Sequence, residues 1–247
     1  MQKDSALSLN MKEILMNKIL RSLLPALGLI FVFNIFAVTE TKAQSVLQEI
    51  LNRMDKQNKS LATLKANLTM VKINSQLEEK DEFLGTTMYI PKKGKDKMYA
   101  RIDWIKPAAE SVAIIGDEYT LFQPRNNKVI QGKTNSTKTT AKVGNSLEFM
   151  SMSKDQLKKN YTLKYLGEAK ISGGISTWHL ELTPKKAASY KTVEIWVDGN
   201  GMPLQSKVNE RNNDSTTILI SDLEKNITLN AQVFIIKYPK NIKPIKG

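Results

Sequence analysis

Residues 98–123 read MYARIDWIKPAAESVAIIGDEYTLFQ, and this stretch decides the fold. Met98, Ala100, Ile102 and Trp104 occupy alternate positions, with Tyr99, Arg101 and Asp103 between them. A period of two sends successive side chains to opposite sides of an extended chain, so the segment predicts a strand with one apolar and one mixed face. Ser111 to Ile115 and Glu118 to Gln123 then flank Gly116-Asp117, a pair suited to a tight hairpin because glycine tolerates positive φ.

The same pattern spreads outward in both directions. Leu64, Ala66, Leu68 and Met70 alternate with Lys65, Asn67 and Thr69, and Leu84 to Ile90 ends at Pro91 and a lysine-rich turn. Pro124 to Asn127 turns the chain into Lys128 to Lys133. Later come Tyr161, Leu163 and Tyr165, then Trp178, Leu180 and Leu182, then Val193, Ile195 and Val197 before the turn Asp198 to Gly201. Leu204 to Glu210, Thr216 to Asp222 and Ala231 to Tyr238 read as the last strands. Roughly ten or eleven strands joined by short turns predict a mainly β (α+β) antiparallel meander. Open twisted sheets rarely exceed about ten strands, so the expected architecture is a curled antiparallel sheet or incomplete β-barrel.

Two helical stretches interrupt the strands. Ser45 is a suitable N-cap, with Gln48 completing a capping box, and Val46, Leu47, Ile50, Leu51, Met54, Leu61 and Leu64 recur at helical spacing. Leu147, Phe149, Met150, Met152 and Leu157 lie on a segment of little strand character, predicted as short helices.

Ahead of the strands, Lys12, Lys18 and Arg21 precede a 16-residue apolar run from Leu23 to Val38, and Thr41-Lys42-Ala43 offers small residues for a signal peptidase. That order predicts a secretory signal over 1–43 and one domain over 44–247. The run is shorter than the roughly 18 residues of a membrane span. The chain has no cysteine. Disulfides, thiolate metal ligation and a lipid-bearing cysteine are therefore excluded, and a soluble, unanchored periplasmic protein is expected.

The inventory for chemistry is thin. His179 is the one histidine, placed between Trp178 and Leu180 and so turned away from their face. No nucleophile elbow or phosphate-binding glycine loop occurs, and the carboxylate pairs Glu78/Glu79 and Asp81/Glu82 sit where a polar hairpin tip is predicted. The expectation is no catalytic site, no metal and no cofactor. The formal net charge is +13, but the lysines are scattered rather than interleaved with aromatics, so no nucleic acid partner is expected.

What remains is apolar surface. Leu68, Met70, Met88, Ile90, Ile102, Trp104 and Leu121 are the inward candidates for an apolar cavity, a mixture of aromatic, aliphatic and flexible thioether side chains that suits an adaptable ligand. On periodicity alone, packing against the helices is the favoured account of them. The helical insertion between strands points to a lid, with Leu147, Phe149, Met150, Met152 and Leu157 facing the cavity. A glutamate at Leu68 is expected to abolish binding with the fold intact.

In order along the chain, several stretches resemble the LolA-type outer-membrane lipoprotein carriers. They are Gly85 with Pro91-Lys92-Lys93, Trp104-Ile105-Lys106-Pro107, Ser111 to Asp117, Leu180-Glu181-Leu182-Thr183-Pro184-Lys185, and Phe234 with Tyr238-Pro239. The resemblance implies a monomeric periplasmic carrier that shields the acyl chains of lipoproteins. Its implied partners are an inner-membrane lipoprotein-releasing transporter and an outer-membrane acceptor. Where the family fastens its lid with an arginine in the basic turn, this chain carries Lys92 and Lys93. The alternative is a periplasmic lipoprotein-sensing regulatory module of the same fold.

Overall fold

The computed structural model describes residues 43–134 and 152–247. The chain forms two compact units, 1–47 and 48–247. Residues 43–47 of the first are the opening turn of helix α1, which spans 43–60. The second unit carries the sheet.

Its strands are β1 (Leu64–Asn74), β2 (Glu79–Ile90), β3 (Tyr99–Lys106), β4 (Glu110–Ile115), β5 (Glu118–Gln123) and β6 (Lys128–Lys133). After helix α2 (Lys154–Asn160) come β7 (Tyr161–Lys170), β8 (Ser176–Pro184), β9 (Tyr190–Val197), β10 (Pro203–Glu210), β11 (Ser215–Lys225) and β12 (Ile245–Lys246). They make one twelve-stranded sheet in the order β12-β6-β5-β4-β3-β2-β1-β11-β10-β9-β8-β7. Two meanders therefore meet at the β1–β11 pair, one running outward to β6 and the other returning from β7. All pairings are antiparallel except the two-residue parallel contact of β12 with β6. The outermost strands β7 and β12 are not paired with each other, so the sheet is an incomplete barrel, as the sequence predicts.

Two local expectations are corrected. Ala231 to Tyr238 is not a strand: β11 already pairs with β1 and β10, leaving no free edge beside it. The chain instead makes a 3-10 turn over Ala231–Phe234, capped by the Asn230 side chain accepting from the Gln232 amide at 2.9 Å, and crosses the sheet as an extended strap. Ser45 lies inside α1 rather than at its cap. A capping box does form at α2, where Ser153 Oγ accepts from the Gln156 amide and the Gln156 side chain accepts from the Ser153 amide.

Register defines two faces. Leu64, Ala66, Leu68 and Met70 of β1 stand opposite Tyr89, Thr87, Gly85 and Phe83 of β2, which stand in turn beside Ala100, Ile102 and Trp104 of β3. Val112 of β4 and Leu121 of β5 continue this row in one direction, Ile220 and Ile218 of β11 in the other. We call this the helix face. Arg53 of α1 lies over the Trp178 ring at 5.2 Å and donates to the Gly199 carbonyl at 2.8 Å. The β9–β10 turn is shaped for that contact: Asp198 Oδ1 accepts from the amides of Asn200 and Met202, both at 2.8 Å. Gly201 there has φ +89°, and a Cβ on it would sit 2.3 Å from the Arg53 carbonyl carbon.

Gly201→Ala meets both penalties, a strained φ and a backbone collision that no side-chain rotation relieves. It is expected to cost about 3 kcal/mol or more in urea denaturation. Gly94→Ala has a positive φ but open space around it, and should cost only about 1 kcal/mol.

Candidate ligand-binding face

The apolar strip on the helix face is built by strand periodicity and held by two close approaches. Gly85 has room for no Cβ, which would lie 2.4 Å from the Asp103 carbonyl oxygen and 3.1 Å from Trp104 Cε3. That absence lets the Trp104 indole lie across β2, where Phe83 meets it edge-on with centroids 5.8 Å apart. The inventory of one core cluster runs from Leu68, Met70, Ile102, Trp104 and Val112 to Ile218 and Ile220, with Phe83, Tyr89 and Leu121 partly buried against it. At one end the strip stops in polar groups: Lys72 lies over the Phe83 ring at 4.8 Å, and Gln123 donates to Glu110 at 2.9 Å.

The structure divides the seven inward candidates. Leu68, Met70, Ile102, Trp104 and Leu121 share the helix face. Met88 and Ile90 do not: they stand beside Arg101 and Tyr99 on the opposite face, because the buried row of β2 falls on odd-numbered residues. Within the five, Leu68 is 1% exposed and Met70 2%, whereas Leu121 is half-buried. Phe83, Tyr89 and Val112 belong to this face and were missed by sequence reading. Their cross-strand pairing with Met70, Leu64 and Ile102 is the signal that identifies them.

Of the lid candidates, Leu147, Phe149 and Met150 lie outside the described residues. Met152 is half-buried, and Leu157 is fully enclosed in α2. That helix is tied to α1 by Lys154 donating to Asn52 at 2.8 Å and Lys158 donating to Gln48 at 2.6 Å. Lys92 and Lys93 are exposed in the loop after β2 and make no side-chain hydrogen bond or ion pair among the described residues.

The opposite face is where the strap lies. Arg101 and Asp103 form a bidentate pair at 2.8 and 3.0 Å, Ser111 donates to Asp103 at 2.6 Å, and Arg101 also donates to the Val233 carbonyl at 2.5 Å. Phe234 packs on Tyr99 and Tyr238 on Phe122, with centroids 5.4 and 6.1 Å apart. His179 is also on this face, stacked on Trp196 and 2.7 Å from Glu194, which accepts from Asn209 as well. Its partners are cross-strand neighbours, and a sheet-stabilising pair accounts for them. Among the described residues no group of three His, Asp or Glu side chains is placed to hold a metal ion.

A family described only as an uncharacterized protein matches residues 110–213. No curated protein matches the sequence. Among solved structures, an uncharacterized conserved protein from Thermus thermophilus is 16% identical, with a TM-score of 0.52 over 82% of this chain and 99% of that one. A DUF1329 family protein from Desulfovibrio piger is 18% identical, with a TM-score of 0.44 over 76% and 95%. A LolA superfamily protein from Nitrosomonas europaea is 14% identical, with a TM-score of 0.39 over 76% and 97%. The first likeness shows a shared fold. The incomplete barrel with its helix agrees with the LolA-like architecture that the sequence resemblance implies.

Burial changes what a substitution at Leu68 reads out. A side chain 1% exposed offers almost no surface to a ligand, and a carboxylate in its place is buried beside Met70 and Ile220 without a partner. Leu68→Glu is therefore expected to cost about 4 kcal/mol or more and to broaden or abolish the thermal transition, rather than to remove binding from an intact fold.

Proposed function

We propose that this protein is a periplasmic carrier that takes the acyl chains of lipoproteins onto the helix face and delivers them to the outer membrane. The observation that carries the reading is the strip itself. Apolar side chains from β11 through β1 to β4 form one core cluster around Gly85 and Thr87, and Phe83, Tyr89 and Leu121 at its margins are only partly buried. The sequence resemblance to lipoprotein carriers supplies the class of ligand. An inner-membrane releasing transporter and an outer-membrane acceptor are the partners this role requires, and the carrier acts as a monomer without a covalent step.

Energetics favour such a device. Each methylene withdrawn from water contributes about 0.8 kcal/mol, so an acyl chain of ~14 methylenes carries roughly 11 kcal/mol of aversion to water. A carrier has to offset most of that and still release its cargo. Side chains already half in contact with their own core can accept a chain without unfolding anything, and can close back onto the core when it leaves.

The test uses residues that are accessible. Titrating a fluorescent diacylated lipopeptide should give saturable binding to the protein. Leu121→Asp should weaken it about tenfold or more, since a charge would then face the hydrocarbon. Met88→Asp, on the other face, should leave affinity within about twofold, with thermal melts confirming that both variants fold. Equal loss from both variants, or no saturable binding at all, refutes the reading.

A further inference from the structure

The strap on the tail side is amphipathic across its own width. From Asn226 onward the chain has no Asp or Glu, and lysines stand at 237, 240, 243 and 246, every third residue. Phe234 is fully buried and Ile236 is 7% exposed; with Arg101 holding the Val233 carbonyl, they fasten the segment to the sheet. Ile235, between them, turns outward and is 49% exposed; Ile245, in the edge strand beside β6, is 47% exposed, and all four lysines are exposed. None of the four makes an ion pair among the described residues. Exposed Arg125 and Lys128 flank β5–β6 at the end where Tyr238 packs on Phe122, whereas Asp117 and Glu118 lie at the far end of β5.

We propose that residues 235–246 form a docking strap for the surface of an anionic phospholipid bilayer. A polar partner of negative charge would engage the lysines alone. The outward Ile235 beside them suits a surface whose charged layer overlies hydrocarbon: ammonium groups meet phosphates while the aliphatic side chain enters below the headgroups. Each lysine near such a surface raises affinity about fivefold, so four together multiply it by several hundredfold. The strap is held by the sheet before any membrane is met, so little ordering entropy is lost on docking. The strap is anchored on the opposite face through Val233, Phe234 and Tyr238, and only its end, where Ile245 pairs with Ile130, reaches the helix-face row; bilayer contact is therefore tested apart from the cargo reading.

The full chain contains no cysteine, so Asn241→Cys gives a single labelling site in the strap. An environment-sensitive fluorophore there reports the strap itself and not the apolar residues 23–38. Vesicles of phosphatidylglycerol and phosphatidylcholine should shift its emission to the blue, and raised salt should reverse the shift. Vesicles of phosphatidylcholine alone should not shift it. Replacing Lys237, Lys240, Lys243 and Lys246 by Gln should weaken the response several hundredfold; Ile235→Ser should weaken it about fivefold. Absence of the shift, an equal shift with neutral vesicles, or indifference to the lysine substitutions overturns the proposal. A response to polyglutamate but not to anionic vesicles also overturns it and assigns the strap to an acidic protein.

Discussion

A sheet is a layer with two sides, and each side holding apolar groups must be covered by something. That constraint governs this molecule, because twelve strands present more surface than one short helix can cap. The covering is divided diagonally. Helix α1 docks at Trp178 of β8 and at the β9–β10 turn on one face, while the strap docks at Tyr99, Arg101 and Phe122 of β3 and β5 on the other. The two meanders differ accordingly. In β8 and β9 the helix-face residues Leu180, Leu182, Val193, Ile195 and Val197 have no exposure at all. Toward β2 and β5, Phe83, Tyr89 and Leu121 keep part of their surface open.

Strand existence was legible because a period of two is written directly in the sequence; β5 and β6 have the bounds that alternation and turn residues predict. Facing was harder. The alternation of Leu64 to Met70 is unambiguous since its partners are Lys65, Asn67 and Thr69, but β2 reads Phe83-Leu84-Gly85-Thr86-Thr87-Met88-Tyr89-Ile90, with apolar residues on both sides. Pairing with β1 decides it: Gly85 and Thr87 are the buried members, and Met88 and Ile90 face away. A small residue chosen for close approach looks like a weak core position in isolation. The fate of Ala231 to Tyr238 was illegible for a different reason. Its apolar residues suit a strand, but whether a strand has an edge to join is a property of the whole sheet.

Full burial and ligand contact are competing uses of one side chain. Leu68 and Met70 are spent on cohesion: with 1% and 2% of their surface free, they stabilise the fold through contacts that a ligand could only replace by displacing neighbours. The half-buried members of the same strip have surface left to give. A binding face on a packed sheet should therefore be sought at the margin of the core rather than at its centre, and here the margin is Phe83, Tyr89 and Leu121. Gly85 contributes at second hand, since it is the missing Cβ that lets Trp104 lie flat enough for Phe83 to reach its edge.

At that margin one charge is in contact, Lys72 over the Phe83 ring. The anchors of the strap, Val233, Phe234 and Tyr238, stand on the other side of the sheet, separated from the apolar strip by the strands and by the Arg101–Asp103 pair. In physiological salt an exposed charge is screened beyond about 8 Å. The anchored part of the strap therefore has little electrostatic influence on a ligand lying across β2 and β3, while its end meets the edge of the strip, where Ile245 pairs with Ile130 beside Leu121. For a protein proposed to approach a membrane and hold a hydrocarbon chain, anchoring most of the strap away from the strip has a physical merit. Attraction to the headgroups then does not compete with retention of the chain, and release is left to contacts at the strip itself.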